Sequence, residues 1–137
     1  VSGTLADRWF GSPTYEPPRQ PGGAPRLFAG RCAQGHLTFP FQEFCPHDLA
    51  PLERFELAGS GRLYAFTTVH VAPAAFAPPY VVGYVDLTEG VRAFGQIEVT
   101  GPSTLRIGMP LEVTSGQIRT NGEGPVFGYK FRPVERA

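Results

Sequence analysis

The sequence predicts a mainly β protein, a small barrel preceded by a ribbon-like segment and an N-terminal arm. Three observations lead there. From Ser60 to Val113 the chain is rich in the β-branched and aromatic side chains that suit a pleated, half-buried surface, and Gly or Pro interrupts it at strand-length intervals. The whole chain carries 17 glycines and 15 prolines in 137 residues, which fits short strands joined by turns better than long helices. Ahead of the barrel, Cys32 and Cys45 each sit in a knuckle-like turn rich in His, Pro and Phe.

In chain order, Leu5-Ala-Asp-Arg-Trp-Phe10 can form one or two helical turns before Gly11 and Pro13 stop it, with Trp9 and Phe10 as anchors that need a groove. Residues 11–25 hold five prolines and three glycines, a composition that excludes helix and sheet interiors. They read as an extended arm laid against a neighbour through Tyr15, or as a plain linker. Residues 1–25 are thus expected to stand apart from a ribbon-like segment at 26–58 and a barrel at 59–137.

Arg26-Leu-Phe-Ala-Gly-Arg-Cys32 reads as a short strand leading into two turns, Cys32-Ala-Gln-Gly-His36 and Cys45-Pro-His-Asp48, with Phe39-Pro-Phe41 between them. A zinc ribbon places two ligands on each turn, commonly at a Cys-x-x-Cys spacing, because a tight turn aims two thiolates at one tetrahedral ion. Here Gly35 and Asp48 occupy the second positions. Two readings stay open. A zinc site could be rebuilt from Cys32, Cys45 and two of His36, His47 and Asp48, the set Cys32, His36, Cys45 and His47 being the first choice. Alternatively the ribbon has lost its ion and is held by Phe39, Phe41, Phe44 and Pro46, with the cysteines as small apolar fillers; the irregular spacing favours this second reading.

Leu49 to Leu57 links ribbon to barrel, with Leu52, Phe55 and Leu57 spaced roughly as in a strand, and Gly59-Ser-Gly61 makes the turn. From Arg62 the period is two: Leu63, Ala65, Thr67, Val69 and Val71 on one face, Tyr64, Phe66, Thr68 and His70 on the other. Large side chains on both faces predict that both are covered. Ala72–Pro79 is an apolar loop, either a lid over the barrel end or a surface for a partner or an acyl chain. Tyr80–Leu87 and Val91–Val99 flank Thr88-Glu-Gly90, which is hairpin chemistry, and Gly83 and Gly95 would let a small barrel bend at its corners. Ile107–Val113 supplies a turn and a strand, residues 115–125 a polar loop, and Val126–Arg132 the last strand. About five strands with bending glycines fit an OB-fold, a partly open Greek-key barrel.

Composition narrows the function. Formal net charge is zero, from 12 basic and 12 acidic residues, with Lys130 the one lysine, a poor footprint for a phosphate backbone. No apolar run approaches the length of a membrane span and no basic region with an apolar core opens the chain, so a cytoplasmic protein without a membrane partner is expected. No nucleophile elbow, phosphate-binding glycine loop or HExxH helix is present. His70, at a strand end beside the apolar loop, is the one weak catalytic candidate, and a packed or hydrogen-bonded histidine at the barrel rim is the preferred reading. A catalytic role for either cysteine would need an activating base that ribbon turns do not ordinarily provide.

Several stretches together resemble a known family. They are Arg31-Cys32, Gly35-His36, Phe39-Pro40, Cys45-Pro46, Ser60-Gly-Arg-Leu-Tyr-Ala-Phe-Thr67, Val69-His70, Pro79-Tyr-Val-Val82, Glu89-Gly-Val-Arg92, Ile107-Gly-Met109, Val113 and Phe131-Arg-Pro133. The chain is in this respect similar to the DUF35 or acyl-CoA-associated OB-fold proteins, in which a rubredoxin-like zinc ribbon precedes an OB barrel. The resemblance implies a non-catalytic accessory subunit that supports a thiolase-fold enzyme (a thiolase, an acyltransferase, or a side-chain aldolase of steroid breakdown) and helps shape its acyl-CoA site. It implies a hetero-tetramer built on a twofold enzyme dimer, a coenzyme A thioester as ligand of the complex, and zinc in the ribbon. Gly35 and Asp48 depart from the family's four cysteines, and the proline-rich arm stands where many members have a longer helix. A nucleic-acid-binding OB module is the alternative, with Tyr64, Phe66, Tyr84 and Phe94 available to stack bases, and neutral charge argues against it. An autonomous CoA-ester hydrolase lacks a catalytic set.

Overall fold

The computed structural model describes residues 12–20, 23–99, 105–121 and 124–134. The helical turn expected at Leu5–Phe10 lies outside them. The described residues form strands β1 (Tyr15–Glu16), β2 (Arg26–Arg31), β3 (Leu37–Thr38), β4 (Glu53–Leu57), β5 (Ser60–Val69), β6 (Tyr80–Leu87), β7 (Arg92–Ile97), β8 (Pro110–Asn121) and β9 (Gly124–Pro133).

β5 to β9 close a barrel in the order β5-β6-β7-β9-β8, with β8 returning to β5. All pairings in it are antiparallel except β7 with β9, which meet in parallel at Ile97 and Phe131. This is the five-stranded arrangement of an OB-fold. The strands form where expected because their inward positions are apolar: Leu63, Val85, Ala93, Leu111 and Phe131 are essentially inaccessible. Gly83 and Gly95 face each other across β6 and β7. Gly83 lies beside a bulge at Tyr64, and a Cβ there would run into the carbonyl oxygen of Ala65, so only glycine permits this close approach.

β1 to β4 form a second sheet centred on β2, which pairs with all three others. Leu49–Leu57 is therefore more than a link, since its second half is a strand of the ribbon sheet. The two sheets share one core, in which Leu27, Ala29 and Leu57 pack with the barrel's interior. The proline-rich arm is likewise drawn in. Phe28 N–H donates to Thr14 O at 2.7 Å, Tyr15 and Glu16 pair with β2 along its edge, and Arg26 bridges Glu16 and Glu56 at 2.9 and 2.8 Å.

Two further expectations are corrected. Within the expected loop at 115–125, residues 115–121 and 124–125 are strand. β8 runs to Asn121 and pairs with β9 from Leu111 to Asn121, with a register shift that leaves Ile118 as the extra residue. The end of this hairpin is not enclosed by the barrel core, so its side chains lose the apolar alternation that marks a buried strand while its backbone still pairs. Nor are both faces of β5 covered, because Tyr64 and Phe66 are 49% and 40% exposed, and Tyr84 and Phe94 on β6 and β7 are exposed with them.

Candidate functional site

Two places gather chemistry-bearing residues. The first is formed by the ribbon turns. Cys32 N–H donates to His36 O and Gly35 N–H to Cys32 O, both at 3.0 Å, and the left-handed conformation of Gly35 (φ 90°) lets the first turn close. The second turn is closed by Cys45 N–H to Ala50 O and Leu49 N–H to Cys45 O, both 2.8 Å.

These turns bring together Cys32, His36, Cys45 and Asp48, whose potential ligand atoms all lie within 4.8 Å of one another. His36 Nδ1 is 3.3 Å from Cys32 Sγ, 3.5 Å from Cys45 Sγ and 3.9 Å from the Asp48 carboxylate. Ligands bound to zinc at their usual bond lengths of about 2.0–2.3 Å stand about 3.3–3.8 Å apart around a tetrahedron; the three spacings at His36 come close to that, and the donor types suit that ion. Burial pushes the Cys45 thiol up, and the Ala50 N–H, donating to Asp48 at 3.0 Å, holds that carboxyl below its ordinary range. The ring of His47 lies beside that of His36, with centroids 4.7 Å apart, and is not one of the four. Two of the aromatic residues expected to hold an ion-free ribbon do not lie between the turns. Phe44 is 55% exposed, and Phe39 turns away to the edge of the Tyr129 ring, 6.3 Å between centroids.

The second place is a groove of about 440 Å³ on the outside of the barrel. β6 and β7 contribute Tyr80, Val82, Phe94 and Gln96, and the apolar loop contributes Phe76. The β8–β9 hairpin adds Ile118, Arg119 and Tyr129, and Tyr15 of the arm closes one end. The groove exists because β7 and β9 share a single pair. Beyond it, side chains bridge the strands: Gln96 Nε2 donates to Ile118 O at 3.0 Å, and the Tyr129 hydroxyl donates to Phe94 O at 3.2 Å. Burial raises the Tyr129 phenol to about 12, with Tyr15 nearby adding to the effect. Burial also raises Tyr15, with the Arg119 charge opposing it.

The apolar loop is thus tied down as one wall. Thr120 N–H and its hydroxyl both donate to Ala75 O, at 2.9 and 3.3 Å, and Phe76 packs on Tyr80. His70 is exposed just beyond β5 and lines neither place. Of the residues suited to base stacking, Phe94 borders the groove and Tyr84 packs on Phe94 at 5.2 Å, whereas the Arg92 guanidinium stacks on the Tyr64 ring at 3.5 Å. Ile118, Arg119 and Tyr129 could not be found as site residues by sequence reasoning, since the first two fell in the supposed loop and the third looked like any strand aromatic.

Comparison with known proteins gives a consistent set of relatives. A family described as the ChsH2 C-terminal OB-fold domain matches residues 55–115. A DUF35 domain-containing scaffold protein of Methanocaldococcus jannaschii is 38% identical over 116 residues, covering 80% of this chain and 82% of its own. The benzoylsuccinyl-CoA thiolase subunit BbsA of Thauera aromatica is 38% identical over 118 residues, 82% of this chain and 80% of its own. Among solved structures, the Ltp2-ChsH2(DUF35) aldolase superposes with a TM-score of 0.64 at 34% identity, covering 79% of this chain and 84% of that one.

Proposed function

The chain belongs to the DUF35 family, and from that premise we propose that it is a non-catalytic accessory subunit that binds a thiolase-fold enzyme and helps shape its acyl-CoA site. The observation that carries this reading is the match to BbsA. It takes in 82% of the chain, ribbon and barrel together, and the relative is itself named a thiolase subunit. The aldolase that superposes on this fold supports the same class of partner. Because such enzymes are dimers, the assembly is a twofold hetero-tetramer with one OB chain on each side, working on a coenzyme A thioester.

Zinc is the ion for the ribbon in this reading, held by Cys32, His36, Cys45 and Asp48, with Asp48 in the place first assigned to His47. Its role would be to cross-link the two turns. The spacing and donor set given above support this.

Two measurements test the proposal. Co-expression with a thiolase-fold subunit should yield a complex on size-exclusion chromatography whose acyl-CoA activity exceeds that of the enzyme alone. An enzyme fully active without this chain, with the chain eluting separately, would overturn it. Elemental analysis should find about one zinc per chain. Cys32→Ser and Asp48→Asn should lose it and His47→Ala should keep it; loss on His47→Ala alone would restore the His47 ligand set.

A further inference from the structure

We propose that the paired ribbon turns are an oxidation site of this chain, where a peroxide joins Cys32 and Cys45 in one disulfide and any ion they hold is released. This goes beyond the accessory role and needs no partner. Only the release of the ion rests on the zinc reading given above.

Proximity is the first argument. Cys32 and Cys45 are the two cysteines of the sequence, both carry free thiols and both are buried. Their sulfurs lie within 4.8 Å of each other, and His36 Nδ1 neighbours both, at 3.3 and 3.5 Å. A disulfide brings its sulfurs to about 2 Å, so an approach of no more than about 3 Å is required, within the reach of rotation about the two Cα–Cβ bonds. The product is also unique. Four thiols, the number in the family's usual ribbon, can pair in three ways, whereas Gly35 and Asp48 leave this ribbon one pairing.

Access sets the order of events. A surface pocket of about 540 Å³ has Cys32 in its wall, with Arg31, Ala33, Gly35, Pro51 and Leu52, whereas Cys45 is fully buried and does not line it. Hydrogen peroxide entering there meets Cys32 first. The Cys32 sulfur takes one oxygen, the O–O bond breaks, and the thiol proton leaves with the other oxygen as water, which makes a sulfenic acid. Cys45 then attacks that sulfur, the S–O bond breaks, and the hydroxyl leaves with the Cys45 proton as a second water. Two thiols lose two electrons and one peroxide gains them. Because thiolates are the metal-binding form of cysteine, the disulfide leaves His36 and Asp48 as the remaining donors, too few to hold a tetrahedral ion, while the new bond keeps the two turns joined.

The test uses the full chain, as isolated and after treatment with a chelator, exposed to hydrogen peroxide. The intact mass should fall by two hydrogens, peptide mapping should join Cys32 to Cys45, and dithiothreitol should restore the original mass. In the zinc-loaded chain a coloured chelator should detect one ion released for each disulfide formed. Cys45→Ser should stop at a Cys32 sulfenic acid that dimedone traps, and Cys32→Ser should lose its remaining thiol at least about tenfold more slowly than the unaltered chain. The mass and the map come from the unaltered chain, so the proposal stands or falls on them even where a variant does not fold. Two thiols that survive peroxide at a concentration that oxidises free glutathione, a disulfide between two chains in place of one within a chain, or Cys45 reacting ahead of Cys32 would overturn it. A chain isolated without zinc that forms the bond would remove the zinc reading and keep this one, and a chain that keeps both zinc and its thiols would do the reverse. Neither result touches the accessory-subunit reading, because no partner is present in the experiment.

Discussion

Tyr129 sits where the ribbon, the arm and the barrel meet, with its ring against Phe39, Tyr15 and Phe131. Its phenol titrates at about 12 rather than 10.0, chiefly because it is buried. A folded-state value above the unfolded one means that stability is whole below pH 10 and is lost as pH rises through 12. Unfolding free energy should therefore drop by on the order of 2 kcal/mol across that window. Tyr129→Phe keeps the ring and removes the proton, so urea unfolding at about pH 9 and about pH 11 should show most of that drop gone. Asp48 illustrates a second residue-scale point: a carboxylate held ready by the Ala50 N–H can stand where the family has a thiolate, which is why the zinc count of Asp48→Asn is informative.

At the scale of the element, β6 depends on a residue that it lacks. Gly83 faces Gly95 beside the bulge in β5, and a side chain at position 83 would meet the Ala65 carbonyl, the Ile97 side chain and Phe66. Gly83→Ala should cost about 2 kcal/mol or more, seen as a thermal midpoint lowered by several degrees, whereas Gly90→Ala should act only through the positive φ of 97°, since nothing crowds that position. The β8–β9 hairpin makes the complementary case. Its bulge at Ile118 re-aims one apolar side chain into the groove, which is how a polar segment comes to wall an apolar site.

For the whole molecule, the arm has two parts with different consequences. Residues 13–16 are tied to the sheet through Thr14 O, the β1–β2 pairs and Arg54 donating to Pro13 O at 3.0 Å. Deleting 1–25 should therefore destabilise the ribbon sheet and loosen the groove, while deleting only 1–11 keeps every one of these contacts. If Trp9 and Phe10 serve the partner, the shorter deletion should leave the melting temperature near that of the full chain and still weaken the hetero-tetramer on size-exclusion chromatography. A short deletion that unfolds the barrel would show that those residues belong to this chain's own core.

The sequence alone determined the barrel, its strand count, the hairpin at Thr88–Gly90 and the ribbon turns, because those rest on local chemistry: period-two patterning, β-branched content, and glycine or proline where the backbone must turn. Family resemblance was legible for the same reason, through short runs such as Ser60–Thr67 that keep their residues in order. What only the tertiary structure decided depends on groups far apart in the chain. That Asp48 rather than His47 stands with Cys32, His36 and Cys45 is a matter of which side chain the turn points inward, and both residue types are acceptable zinc donors, so residue type alone does not tell them apart. The groove joins Tyr15, Phe76, Phe94 and Arg119 across more than a hundred positions, and it exists because β7 and β9 meet at one pair and then part. No local pattern records that separation, since it arises from how a closed barrel of fixed strand number distributes its pairing.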